Sequence, residues 1–60
     1  MMTPYQIFSV LHGMSQIPED LDDVIAMVEE IERAPETYLN TGAACRGYDQ
    51  LKAIALGEPL

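Results

Sequence analysis

Ser9, Ser15 and His12 are the residue types of a nucleophile and its base, and Cys45 is a second possible nucleophile. A hydrolytic triad also needs an orienting acid and a preorganised pocket in which all three groups converge. Sixty residues leave little room for such a pocket. His12, the only histidine, is read instead as the C-terminal cap of a helix, where partial positive charge is favourable. Arg46 beside Cys45 is a single cation, weak grounds for an activated thiolate, so Cys45 is expected as a small core residue. The reading is a protein without catalytic residues. Zinc sites draw on several Cys and His ligands, and this chain has one of each. Glu19, Asp20, Asp22 and Asp23 lack the loop spacing and central glycine of a calcium site. No Glu-x-x-His pair is present for a di-iron bundle, and no Asp-Ser-Leu context for an acyl carrier. No metal and no cofactor are expected.

Charge is the feature that stands out. Between Glu19 and Glu36 lie eight acids and one base, Arg33, a net of −7. The rest of the chain sets Asp49 and Glu58 against Arg46 and Lys52 and sums to zero. At 100° per residue, Glu19, Asp22, Asp23, Glu29 and Glu30 fall opposite an apolar stripe on one helix. Asp22/Asp23 and Glu29/Glu30 form two rungs about 10 Å apart at a rise of 1.5 Å per residue. Glu36 extends the patch. Solvated faces ordinarily mix both signs of charge, and this one barely does. The expected partner-contact residues are therefore Glu19, Asp22, Asp23, Glu29, Glu30 and Glu36, facing a basic surface. Tyr38 and Tyr48 join them as anchors, since Tyr is enriched at binding hot spots.

The elements that must carry this patch are helices. Thr3-Pro4-Tyr5-Gln6 spells a capping box with Pro at the first helical position, and Met2 and Ile7 have the spacing of a hydrophobic staple. That predicts a helix over 4–12, closed by Gly13. Leu21, Val24, Ile25, Val28 and Ile31 recur at the 3.6-residue period, predicting a second helix over 18–33 that ends at Ala34-Pro35. A short turn over 36–40 should follow. A last helix over 43–56 carries Ala44, Gly47, Tyr48, Leu51, Ile54 and Ala55 on one stripe and ends at Gly57 and Pro59. Gly47 inside it either permits close helix approach or marks a later start. No run alternates as a strand does. The fold class is all-α, one compact domain of three to four helices.

Composition sets the outer limits. Apolar residues make up 48% of the chain, enough for a modest core. A domain this small buries only about 60% of its unfolded surface, so its margin is thin. A net charge of −7 argues against direct binding to a phosphate backbone, which draws on clustered Lys and Arg. No run approaches the roughly 18 apolar residues of a membrane span. No Lys or Arg precedes Arg33, so the opening residues do not read as a secretory signal. The expected compartment is a reducing cytoplasm, in which a lone Cys45 stays a thiol.

In size, acidity, helicity and the ridge over Glu19–Glu36, the chain resembles the small phage-encoded inhibitors called anti-CRISPR proteins. Several of those cover the basic surfaces on which surveillance complexes hold guide or target. The resemblance spans the whole chain, rests on no signature motif and carries over no individual residue. It implies no catalysis, a host cytoplasm and a large nucleoprotein partner. The expected function is thus a non-enzymatic inhibitor that seats an acidic helix on a basic, nucleic-acid-binding surface. The rival expectation is a structural or assembly module that self-associates or packs on a larger assembly. It would use apolar surface, with Met1, Met2, Met14 and Met27 as adaptable contacts.

Overall fold

Thr3 stands in extended conformation and starts the first helix, α1, Pro4–Leu11. In the computed structural model, which describes residues 2–57, the Gln6 N–H donates to Thr3 Oγ1 at 3.3 Å and the Thr3 N–H to Gln6 Oε1 at 2.8 Å. The capping box is complete, and two N–H groups with no helical partner are satisfied by side chains. Met2 packs against the core beside this turn. His12 caps the C-terminal end, one residue short of the expected boundary, and Gly13 turns the chain at φ 73°. A positive φ is cheap for glycine alone.

The second helix, α2, spans Leu21–Arg33 and corrects the expected start at residue 18. Asp20 holds an extended conformation and accepts the Asp22 N–H on Oδ1 at 2.9 Å. An Asp that caps in this way fixes the first helical residue just after itself, so Pro18, Glu19 and Asp20 stay outside. The apolar stripe is corrected too. Val24, Met27, Val28 and Ile31 are buried, whereas Leu21 is 50% exposed and Ile25 only half-buried. Both sets satisfy i, i+3, i+4 spacing. The position of the neighbouring helices selects the one rotated toward Met27. This also removes Met27 from the apolar surface contacts expected of an assembly module.

A single helical turn, α3, Pro35–Tyr38, replaces the expected turn over 36–40. The last helix, α4, spans Gly42–Ala55 and starts one residue before the expected boundary. Its cap is Thr41, whose Oγ1 accepts the Ala44 N–H at 3.0 Å. Gly47 lies inside α4 and resolves the two alternatives in favour of close approach. A Cβ built there would stand 2.3 Å from the Leu11 carbonyl oxygen, so α4 crosses the end of α1 backbone on backbone. Gly57 follows at φ 73° as the expected terminator. Pro59, Glu58 and Met1, which also entered the expectations, lie outside the described residues.

The fold is all-α, with four helices and, among the described residues, no strand. α2 packs on α4 and on α3, and α1 packs on α4. One core results: Ile7, Val10 and Leu11 from α1, the four α2 residues, Tyr38, and Ala44 and Leu51 from α4. The Tyr38 ring meets the Phe8 ring at 5.1 Å between centroids and a tilt of 43°, a favoured aromatic geometry. Cys45 corrects its expected place in the core, because it is exposed on the outer side of α4.

Candidate partner-binding surface

α2 sorts its polar residues onto two sides by the angle of each from the buried line. Glu32 falls on the side that meets α4. Its carboxylate accepts the Tyr48 hydroxyl at 2.5 Å and pairs with Lys52 Nζ at 2.5 Å. Lys52 Nζ in turn lies 3.3 Å from the Tyr48 oxygen and 5.8 Å from its ring centroid. The three side chains clamp α2 to α4. Tyr48, expected as a partner anchor, is half-buried, with its hydroxyl engaged inside the molecule.

The clamp sets protonation in a consistent direction. The Lys52 ammonium and then the Tyr48 hydroxyl hold the Glu32 carboxyl below the ordinary value of 4.5. The same contact with Glu32 raises Lys52 above 10.5, and hydrogen bonding to Glu32, with burial, raises Tyr48 above 10.0. A lowered carboxyl stabilises the fold above its unfolded value and loses that contribution as pH falls through the folded value. A raised amine or phenol stabilises below its unfolded value and loses the contribution as pH climbs through the folded one. The clamp therefore acts in full between about pH 4.5 and pH 10. Glu32→Gln should melt lower than wild type at pH 7, with the gap closing as the pH is brought down to 2. Thermal melts of both proteins across that range check it. A gap that stays constant with pH would show that Glu32 stabilises by shape and not by charge.

Around the outward face of α2 and along its far flank stand the acids read from sequence. Asp22, Asp23 and Glu29 are exposed on α2, Glu19 is exposed in the bend before it, and Glu36 is exposed at the start of α3. None of these five forms an ion pair among the described residues. Glu30 differs. It is less open, at 39% side-chain exposure, and pairs with Arg33 Nη1 at 2.9 Å. Tyr38 corrects its role as an anchor: at 2% exposure it belongs to the core and presents no side chain to a partner. Burial and the neighbouring Glu30 carboxylate push its hydroxyl above 10.0.

The ridge costs the fold little. Two carboxylates 10 Å apart in water repel by about 0.4 kcal/mol before salt screening. Asp22 and Asp23 lie in the first turn of α2, where the helix dipole returns about 0.3–1 kcal/mol each. Repulsion along the helix is thus offset at its N-terminus.

Along the flank that carries Asp23 and Glu30, α2 and the opening turn of α1 enclose an open groove. Its largest part, about 450 Å³, is lined by Met2, Gln6, Asp23 and Ala26. It continues past Ile7 to Glu29, Glu30 and Arg33.

The residues with nucleophile or base chemistry sit near the end of α1 and the start of α4, and His12 is engaged in contacts at those helix ends. The His12 ring lies across two helix ends, with Nδ1 at 2.9 Å from the Phe8 carbonyl and Nε2 at 3.3 Å from Thr41 Oγ1. A carbonyl only accepts, so Nδ1 carries a proton and His12 caps α1 as expected. Ser9 is buried, and its carbonyl takes the N–H groups of Met14 at 2.7 Å and Ser15 at 3.2 Å. Among the described residues no three His, Cys, Asp or Glu side chains converge as metal ligands, and no helix is long and apolar enough to cross a membrane.

Sequence reasoning missed Glu32 and the groove. Tyr48 and Lys52 are four apart on α4 and legible as a pair, but their acceptor lies sixteen and twenty residues away. No family model, curated protein or solved structure matches this chain.

Proposed function

We propose that this protein is a non-enzymatic inhibitor of the anti-CRISPR type, which lays the outer face of α2 on a basic, nucleic-acid-binding surface of a partner complex. The observation that carries the reading is the pattern of pairing. Glu19, Asp22, Asp23, Glu29 and Glu36 stand exposed and unpaired, while Arg33 and Lys52 are committed to Glu30 and Glu32. The molecule thus presents a face of one sign with almost no internal compensation. Such a field steers a basic partner into encounter and is strongest at low salt. Its site of action is the host cytoplasm.

The test is neutralisation, with the fold checked in parallel. Asp22→Asn, Asp23→Asn, Glu29→Gln and Glu36→Gln combined should retain a cooperative melt. Exposed charges contribute within about 1 kcal/mol each. Wild type should retain a nucleoprotein complex from host lysate at 0.1 M salt, lose it at 1 M, and displace nucleic acid from the purified complex in a mobility-shift assay. The neutralised protein should do neither. Equal capture and equal displacement by both proteins would sink the reading.

A second reading has its own observation. Tyr5 is 73% exposed, Met14 74%, Leu21 50% and Leu56 61%, which favours apolar self-association or packing on a larger assembly. Single exposed apolar residues are common on monomers. Light scattering separates the two: a concentration-dependent oligomer that resists salt belongs to the apolar reading.

A further inference from the structure

The end of α1 and the start of α4 meet at one junction, and three contacts fall within it. The His12 ring spans it, with Nδ1 at 2.9 Å from the Phe8 carbonyl and Nε2 at 3.3 Å from Thr41 Oγ1. Thr41 Oγ1 in turn accepts the Ala44 N–H at 3.0 Å, which caps α4. Further along α4, a Cβ at Gly47 would run into the Leu11 carbonyl, so the two backbones touch. Because Nδ1 donates to Phe8, Nε2 of the neutral ring offers only a lone pair, and the Thr41 hydroxyl donates to it. The hydrogen bonds then run head to tail, from Ala44 N–H to Thr41, from Thr41 O–H to His12, and from His12 Nδ1–H to Phe8. An N–H with no partner in its own helix is thereby joined, through two side chains, to a carbonyl at the end of another helix. Bonds in such a chain polarise one another, so losing one weakens its neighbours.

We infer that this chain of bonds is a coupling device: the last turn of α1 and the first turn of α4 open together, and His12 is the link between them. The packing concentrates the coupling here. α1 packs on α4, whereas its flank toward α2 is an open groove. Ala44 is 0% exposed, so fraying of the first α4 turn pulls a core side chain out with it. His12 and Thr41 are 29 residues apart in the chain, so the link is tertiary and no single helix carries it. The inference is independent of the acidic face and of the function proposed for it.

Native-state hydrogen exchange at four amides tests it, each held by a bond at the junction. The His12 amide donates to the Phe8 carbonyl, Gly13 to the Val10 carbonyl, Ala44 to Thr41 Oγ1 and Cys45 to the Thr41 carbonyl. In wild type all four should be less protected than the Val28 and Ile31 amides, because they exchange through an opening smaller than global unfolding. His12→Ala should lower the protection of all four by about two- to tenfold, the scale of one lost hydrogen bond. Thr41→Ala should lower it at positions 12 and 13 as well as in its own turn, because coupling between two sites is reciprocal. Thr41→Ser, which keeps the hydroxyl, should leave positions 12 and 13 as in wild type. His12 and Thr41 are both exposed, so the fold should hold in each variant. If His12→Ala affects positions 12 and 13 but not Ala44 and Cys45, the two ends open independently and the inference falls. It falls too if all four amides are as protected as Val28 and Ile31, since the junction then opens only with the whole fold.

Discussion

Gly47→Ala should lower the melting temperature by about 4–16 °C, although the same change inside an ordinary helix raises it. Helix propensity alone favours Ala over Gly by about 1 kcal/mol. Against that stands the geometry. The new Cβ would lie 2.3 Å from the Leu11 carbonyl oxygen and 3.0 Å from the Leu11 carbonyl carbon and Cα. These are backbone atoms at the end of α1, so no rotamer change relieves the contact. The α1–α4 crossing must open by about an ångström, which disturbs Leu11 and Ala44, both buried at that crossing. A contact of 2.3 Å with backbone belongs at the upper end of the about 1–3 kcal/mol that overpacking costs, so about 1–2 kcal/mol of net destabilisation remains. For a domain of this size each kcal/mol moves the midpoint by about 4–8 °C. A thermal melt followed by circular dichroism decides it. A higher midpoint for Gly47→Ala would mean that the helices do not cross at this residue.

Ile31→Asp should abolish the cooperative melt altogether. Ile31 is 0% exposed and belongs to the core built from α1, α2, α3 and α4. No cation is among the core residues to pair with a carboxylate placed there. An unpaired buried charge is so costly that the group protonates or the structure opens around it. A domain of sixty residues is stable by about 3–9 kcal/mol, and breaking its centre with a charge removes most of that. Ile31→Val, which only trims a methylene, should cost about 0.5–1.5 kcal/mol and keep a single sharp transition. Urea denaturation of both variants separates a loss of charge burial from a loss of volume. A sharp transition for Ile31→Asp near the wild-type midpoint would place this side of α2 in solvent.

Much of the fold was legible because its decisive contacts are local. Thr3 and Gln6 cap α1 across three residues, Gly13 ends it, and Pro35 follows the last residues of α2. A side chain that satisfies an N–H two or three positions away needs no tertiary partner, so its sequence pattern carries the whole signal. Even here the nearer competitor prevailed: Asp20, not Pro18, set the start of α2.

The acidic face was legible for the same reason. Angular position on a helix follows from 100° per residue, so Asp22 and Glu29 had to share a side. What each acid does was not. Glu29 and Glu30 are adjacent in sequence, yet one is unpaired and the other holds Arg33 beside the groove.

By itself the sequence determined the three longer helical segments, the capping box of α1 and the concentration of charge on α2. Each of those follows from interactions within one turn or from a count of residue types. Tertiary structure decided the rest: that Met27 and not Leu21 faces the core, that Tyr38 is buried, that Gly47 is a crossing point, and that Glu32 reaches Tyr48 and Lys52. Those outcomes depend on where one helix lies against another. The periodicity of a single helix leaves that rotation free by some tens of degrees, and only close packing of all four removes the freedom.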